Sequence, residues 1–88
     1  MRSVTALVAV KDTDWRELYE EALQREGCEV MKTADGMDGI QLLSERSFDI
    51  AIVDESLDSA GQVEVVLSIR DLKNHKPVTL VTGKNVEK

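Results

Sequence analysis

Residues 4–10 (VTALVAV), 48–54 (FDIAIVD) and 78–81 (VTLV) are short, nearly unbroken apolar runs, with little of the alternation that a half-exposed strand shows. Strands hydrophobic on both faces are what a parallel sheet covered on two sides requires. Residues 28–33 (CEVMKT) alternate more, with Val30 apolar between the polar Glu29 and Lys32, which suits an edge strand better than a central one.

Between these runs the period changes to that of a helix. Asp12, Thr13 and Asp14 offer N-cap oxygens, and Trp15, Leu18, Tyr19, Ala22 and Leu23 then recur at i, i+3, i+4, i+7 and i+8. Arg16, Glu17, Glu20, Glu21, Arg25 and Glu26 hold the opposite face, and Gly27 ends the helix as its C′ residue. A second helix is predicted from Asp35 as cap through Ser47, with Met37, Ile40, Leu42 and Leu43 apolar and with Gly36 and Gly39 weakening its first turn. After a polar loop over residues 55–61, a third helix carries Val63, Val66, Leu67 and Arg70, with Val65, Ile69 and Leu72 beside them. It ends near Asn74 and His75, and Pro77 marks the entry to the last strand. The order is β-α-β-α-β-α-β. Right-handed crossovers then place helices on both faces of one parallel sheet, a three-layer α/β arrangement in a single domain spanning residues 1–88.

In open α/β sheets, ligands gather at the carboxyl ends of the strands. There the sequence places Asp54 at the close of the third strand and Thr82-Gly83 at the close of the fourth. A carboxylate and a hydroxyl at neighbouring strand ends make a candidate phosphate or metal pocket.

Composition narrows the partners. The 88 residues carry a net charge of −6, and the 11 basic residues are scattered, so the basic footprint of a nucleic-acid binder is missing. A lone cysteine, Cys28, excludes an internal disulfide and is read as a small buried hydrophobe. No apolar run approaches the ~18 residues of a membrane span, and the start is polar too soon for a signal peptide, so a cytoplasmic protein is expected. His75 lacks a second ligand at metal spacing and is read as a surface residue. The glutamates of the first helix are read as a solvated face, and Trp15 and Tyr19 as core or interface residues.

The stretches ALVAVKDTDWREL, FDIAIVDESLDSAGQVEVVLSIR and KPVTLVTG, in this order, resemble the receiver domain of two-component response regulators over nearly the whole chain. The resemblance implies a flavodoxin-like fold with sheet order 2-1-3-4, followed in that family by a fifth strand. It also implies that Asp54 stands at the position that accepts phosphate from a histidine kinase. Thr82 matches the switch hydroxyl, and Gly83 the residue whose amide meets a phosphate oxygen.

The departures from that pattern matter as much. Aligned without a gap, the acidic pair that holds Mg²⁺ in the family falls on Val10 and Lys11, while a one-residue gap would bring Asp12 to the metal position. The ligands left for Mg²⁺ are then Asp54, Asp12 and Ser56. Asp58 replaces the usual proline and Gln62 a usual glycine. The sequence stops at Lys88, before the last two helices, the fifth strand and the lysine that completes the pocket, so a truncated receiver-like domain is expected. Lys11 either extends into solvent or takes the place of the metal beside Asp54. A unit-charge pair at about 4 Å is worth roughly 4 kcal/mol at an effective dielectric of 20, before desolvation.

The expected function is that of a signalling domain in a phosphorelay, phosphorylated at Asp54 weakly or not at all and served by a degraded Mg²⁺ site. Its partners would be a histidine kinase or another signalling protein. The alternative is a phosphorylation-independent pseudo-receiver acting as an interaction or dimerisation module. Neither is an enzyme with catalytic residues of its own for a separate substrate. A mononucleotide binder of the same architecture would need a Gly- or Ser/Thr-rich loop after the first strand, which is missing. Strand four, lacking a fifth strand beside it, would present an apolar edge, so a homodimer is expected.

Overall fold

The computed structural model describes residues 3–54, 56–57, 59–73 and 76–82, with the backbone alone for residues 59–60. Gly83, Asp58, Asn74 and His75 lie outside the described residues. The chain runs β1 (Thr5–Ala9), α1 (Thr13–Arg25), β2 (Glu29–Thr33), α2 (Gly36–Glu45), β3 (Ile50–Asp54), α3 (Ser59–Arg70) and β4 (Val78–Thr82). All three strand pairings are parallel, in the order β2-β1-β3-β4. The architecture is the three-layer arrangement expected from the apolar runs, with the flavodoxin-like strand order that the resemblance implies.

Residues 6–10 are fully buried in succession. Because side chains alternate across a strand, they feed two separate cores. Leu7 and Ala9 join Ala51, Val53, Leu43, Phe48, Leu57, Val65 and Ile69 beneath α2 and α3. Val8 and Val10 join Ile52 on the other side, where Tyr19 and Leu23 of α1 pack.

Two glycines have conformational reasons. Gly27 has φ 85°, the left-handed geometry that ends α1. Gly36 opens α2 so close to α3 that a Cβ there would sit 3.2 Å from the backbone of Gly61. The glycine that weakens the helix on propensity is thus what lets the two helix starts meet.

Several expectations are corrected by packing. The apolar stripe of α1 is not a core face throughout: Trp15 and Leu18 are about half exposed, at 52% and 51%, and Ala22 is exposed. The helix lies over β1 and β2 alone, so only the centre of its stripe, Tyr19 and Leu23, meets the sheet. In α3 the fully covered positions are Val65 and Ile69, whereas Val63 and Leu67 face outward. Met37 of α2 is also exposed.

Element ends shift as well. The third strand begins at Ile50, and Phe48, two residues before it, is buried in the core. Asp49 accepts the Thr5 N–H through Oδ2 at 2.9 Å, which anchors the start of β1. Helix α2 stops at Glu45, before Ser47, and α3 stops at Arg70, short of Asn74. There the Lys76 ammonium donates to the carbonyls of Arg70, at 2.7 Å, and Leu72, placing a cation where the helix dipole favours one. Asp35 occupies the N-cap position of α2 without a side-chain cap bond; Thr33 Oγ1 accepts the Asp35 N–H and donates to Asp38 Oδ2 at 2.8 Å.

These contrasts predict unequal costs for truncation. Ile69→Ala should lower unfolding free energy by about 2–5 kcal/mol, while Trp15→Ala should cost less than about 1.5 kcal/mol. Urea denaturation followed by circular dichroism would check both, and equal losses would contradict the half-exposed placement of α1.

Candidate functional site

Parallel strands bring their carboxyl ends to one edge of the sheet, and the register aligns Asp54 with Thr82 across β3 and β4. The Thr82 hydroxyl donates to Asp54 Oδ1, and the Ser56 N–H donates to Asp54 Oδ2 at 3.0 Å. Both carboxylate oxygens therefore accept a hydrogen bond from the protein. Hydrogen bonds to an ionised group are roughly twice as strong as neutral ones, so this pairing fixes the two strand ends to each other.

The first turn of α3 reinforces the junction. Gln62 Nε2 donates to the Thr82 carbonyl at 3.2 Å and lies 3.4 Å from the Val53 carbonyl, so one amide spans both strands. On the opposite side lies the loop between β1 and α1. Ser56 Oγ accepts the N–H of Lys11 at 2.8 Å and that of Asp12 at 3.2 Å. Asp12 Oδ1 accepts the Trp15 N–H at 3.1 Å and so caps α1. Val10, just before this loop, is fully buried in the core under α1. Lys11 is exposed and lines a cavity of about 340 Å³ with Asp35, Gly36, Leu57, Gly61 and Glu64.

The structure thus gathers Asp54, Thr82, Ser56, Lys11 and Asp12, the described residues that sequence reasoning selected, around one strand end. It assigns them different work. Ser56, expected as a metal ligand, offers its hydroxyl to loop amides, and the Asp12 carboxylate turns to its own helix. Two contributors were missed: Gln62, noted only as a departure from a glycine, and Arg16, placed only on the polar side of the first helix. Arg16 Nη1 donates to the carbonyls of Val10 at 3.0 Å and Lys11 at 3.1 Å. The signal for both was position: each sits in the first turn of a helix that starts at the strand ends.

A family model described as the response regulator receiver domain matches residues 6–88. Among curated relatives, an uncharacterized transcriptional regulatory protein, YrkP, of Bacillus subtilis (strain 168) is 33% identical over 79 residues, covering 90% of this chain and 33% of that protein. Transcriptional regulatory protein AfsQ1 of Streptomyces coelicolor (strain ATCC BAA-471 / A3(2) / M145) is 33% identical over 81 residues, covering 91% of this chain and 36% of that protein. The chain spans about a third of the length of these relatives. Solved structures show the same fold. A CheY-like response regulator receiver domain from Methylobacillus flagellatus has a TM-score of 0.78 at 23% identity, covering 99% of this chain and 76% of that one. The receiver domain of sensor histidine kinase PA1611 from Pseudomonas aeruginosa PAO1, with magnesium coordinated in its active site cleft, has a TM-score of 0.85 at 18% identity. That match covers 99% of this chain and 72% of that one. The chain belongs to the response regulator receiver domain family.

The Asp54–Thr82 pair generates a stability prediction. Thr82→Val, which keeps the shape and removes the hydroxyl, should cost about 1.5–3 kcal/mol, the range for a hydrogen bond to a charged group. Thr82→Ser should recover much of that loss. Equal stability of Thr82→Val and the unmodified chain in urea titrations would show that the hydroxyl does not hold the strand ends together.

Proposed function

We propose that this chain is a receiver-like signalling domain with Asp54 at the phosphoacceptor position, phosphorylated weakly or not at all. Its task is to present a surface to a histidine kinase or another cytoplasmic signalling protein rather than to turn over a substrate of its own. The observation that carries this reading is the junction of Asp54 and Thr82: an acceptor carboxylate and a hydroxyl meet at neighbouring strand ends.

Weak phosphorylation follows from the donor set. Phosphoryl transfer is catalysed almost wholly by positioning and by electrostatic stabilisation, much of it from a divalent ion. Mg²⁺ takes oxygen ligands and is usually bound through one or two carboxylates. Here Val10 is sealed in the core, Lys11 brings a positive charge, and Asp12 spends Oδ1 on its helix cap. No group of three or more His, Cys, Asp or Glu side chains that could hold a metal ion occurs among the described residues. The described residues at this strand end do not form a multi-carboxylate Mg²⁺ site.

A second reading, that of an interaction module independent of phosphate, is favoured by the outer edge of the sheet. Strand β4 lies at that edge among the described strands, and its Val78, Leu80 and Val81 are each more than half exposed. Such an edge is a ready template for another chain, a second copy included.

Two measurements test these readings. Incubation with acetyl phosphate and Mg²⁺ should give little acyl phosphate at Asp54, and Lys11→Asp should raise both Mg²⁺ binding and labelling. Val10→Asp is the poorer rescue, since it puts a carboxylate into an apolar core. Robust Mg²⁺-dependent labelling of the unmodified chain would sink the weak-acceptor reading. For the edge, sedimentation equilibrium should show self-association that Leu80→Asp abolishes; a monomer at tens of micromolar would remove the second copy as an occupant.

A further inference from the structure

The loop that joins β1 to α1 has no loose backbone. The Val10 N–H donates to the Thr33 carbonyl at 3.0 Å, and the Asp12 carbonyl accepts the Arg16 N–H at 2.9 Å. The N–H groups of Lys11 and Asp12 both go to Ser56 Oγ. The carbonyls of Val10 and Lys11 are both taken by the Arg16 guanidinium. Every N–H and every C=O of residues 10–12 is therefore satisfied by the protein itself, although Lys11 and Asp12 are exposed.

The chemistry of those partners is informative. A hard divalent cation at this edge would need oxygen donors from the loop and from Asp54. The loop carbonyls instead face a guanidinium, which is itself a fixed positive charge. Ser56 makes the other half of the connection: its N–H holds Asp54 Oδ2, while its Oγ holds the two loop amides. One residue thus ties the acceptor carboxylate to the loop.

We propose that Ser56 is a positioning residue which, with Arg16, holds the β1–α1 loop against Asp54 in place of a divalent cation, so that the site is assembled in the absence of metal. This deepens the reading of Asp54 as a weak acceptor and rests on it. The lost acidic pair is not simply a defect left open: the contacts that a metal would have organised are made by a hydroxyl and a guanidinium. The site is fixed in one arrangement whether or not Mg²⁺ is present.

Amide hydrogen exchange on the ¹⁵N-labelled 88-residue chain, with Mg²⁺ alone as the probe, tests this. In the unmodified chain the Lys11 and Asp12 amides should exchange slowly and should keep their chemical shifts as Mg²⁺ is added. Ser56→Ala should speed exchange at these two amides by roughly tenfold or more while leaving the β1 amides protected, and Ser56→Thr, which keeps the hydroxyl, should restore protection. Unchanged exchange in Ser56→Ala would overturn the proposal. So would saturable, low-millimolar Mg²⁺ shifts of the two loop amides in the unmodified chain, a measurement that stands even if Ser56→Ala fails to fold. Acetyl phosphate labelling separates the two levels of inference. Robust labelling would overturn the weak-acceptor reading, whereas unchanged exchange in Ser56→Ala with labelling still absent would overturn only the role of Ser56.

Discussion

Burial of β1 on both faces is the constraint from which the remaining architecture follows. Five consecutive residues, 6–10, have no exposed surface, and alternation sends them into two cores at once. A strand buried in this way must be paired on both edges and covered by helices on both sides. Short parallel crossovers meet that demand, with α1 on one face and α2 and α3 on the other. Parallel pairing then gathers the carboxyl ends of the strands at one edge, so the position of Asp54 beside Thr82 and the β1–α1 loop is a consequence of how the core is built.

That logic explains which parts of the fold were legible. The element order and the parallel sheet came from apolar runs and helical spacing, because burial on two faces leaves a strong mark, whereas the strand order 2-1-3-4 came from the resemblance to receiver domains. Legibility failed where partners decide exposure. Trp15 and Leu18 have the spacing of core residues, yet α1 covers only β1 and β2, and no spacing reveals how far a helix extends over a sheet. Strand β4, by contrast, was expected as an apolar edge, and Val78, Leu80 and Val81 stand exposed at the edge of the described sheet. Gly36, which argued against a helix start, is required by the approach of Gly61.

The candidate site divides in the same way. Asp54 and Thr82 were readable because strand ends are readable. The roles of Ser56, Arg16 and Gln62 were not, since each depends on hydrogen bonds to backbone groups contributed by a different loop or strand. Main-chain carbonyls and amides carry no residue identity, so a sequence cannot show which side chain will reach them. The resemblance to receiver domains directed attention to side-chain ligands, whereas this site is tied together largely through the main chain.

Val10 and Lys11, where the ungapped resemblance expects an acidic pair, also bear on the energetics of the strand edge. Carboxylates clustered within ~4–6 Å repel one another, and a bound cation is the usual remedy. Without the metal, such a cluster costs stability, the familiar trade by which a functional site weakens its fold. Burying Val10 instead contributes on the order of 1.5–3 kcal/mol, a sizeable share of the ~5–15 kcal/mol that holds a small domain together. The Arg16 guanidinium meanwhile places positive charge on the Val10 and Lys11 carbonyls of the adjoining loop. That loop is held by contacts from within the chain, the Ser56 hydroxyl and the Arg16 guanidinium.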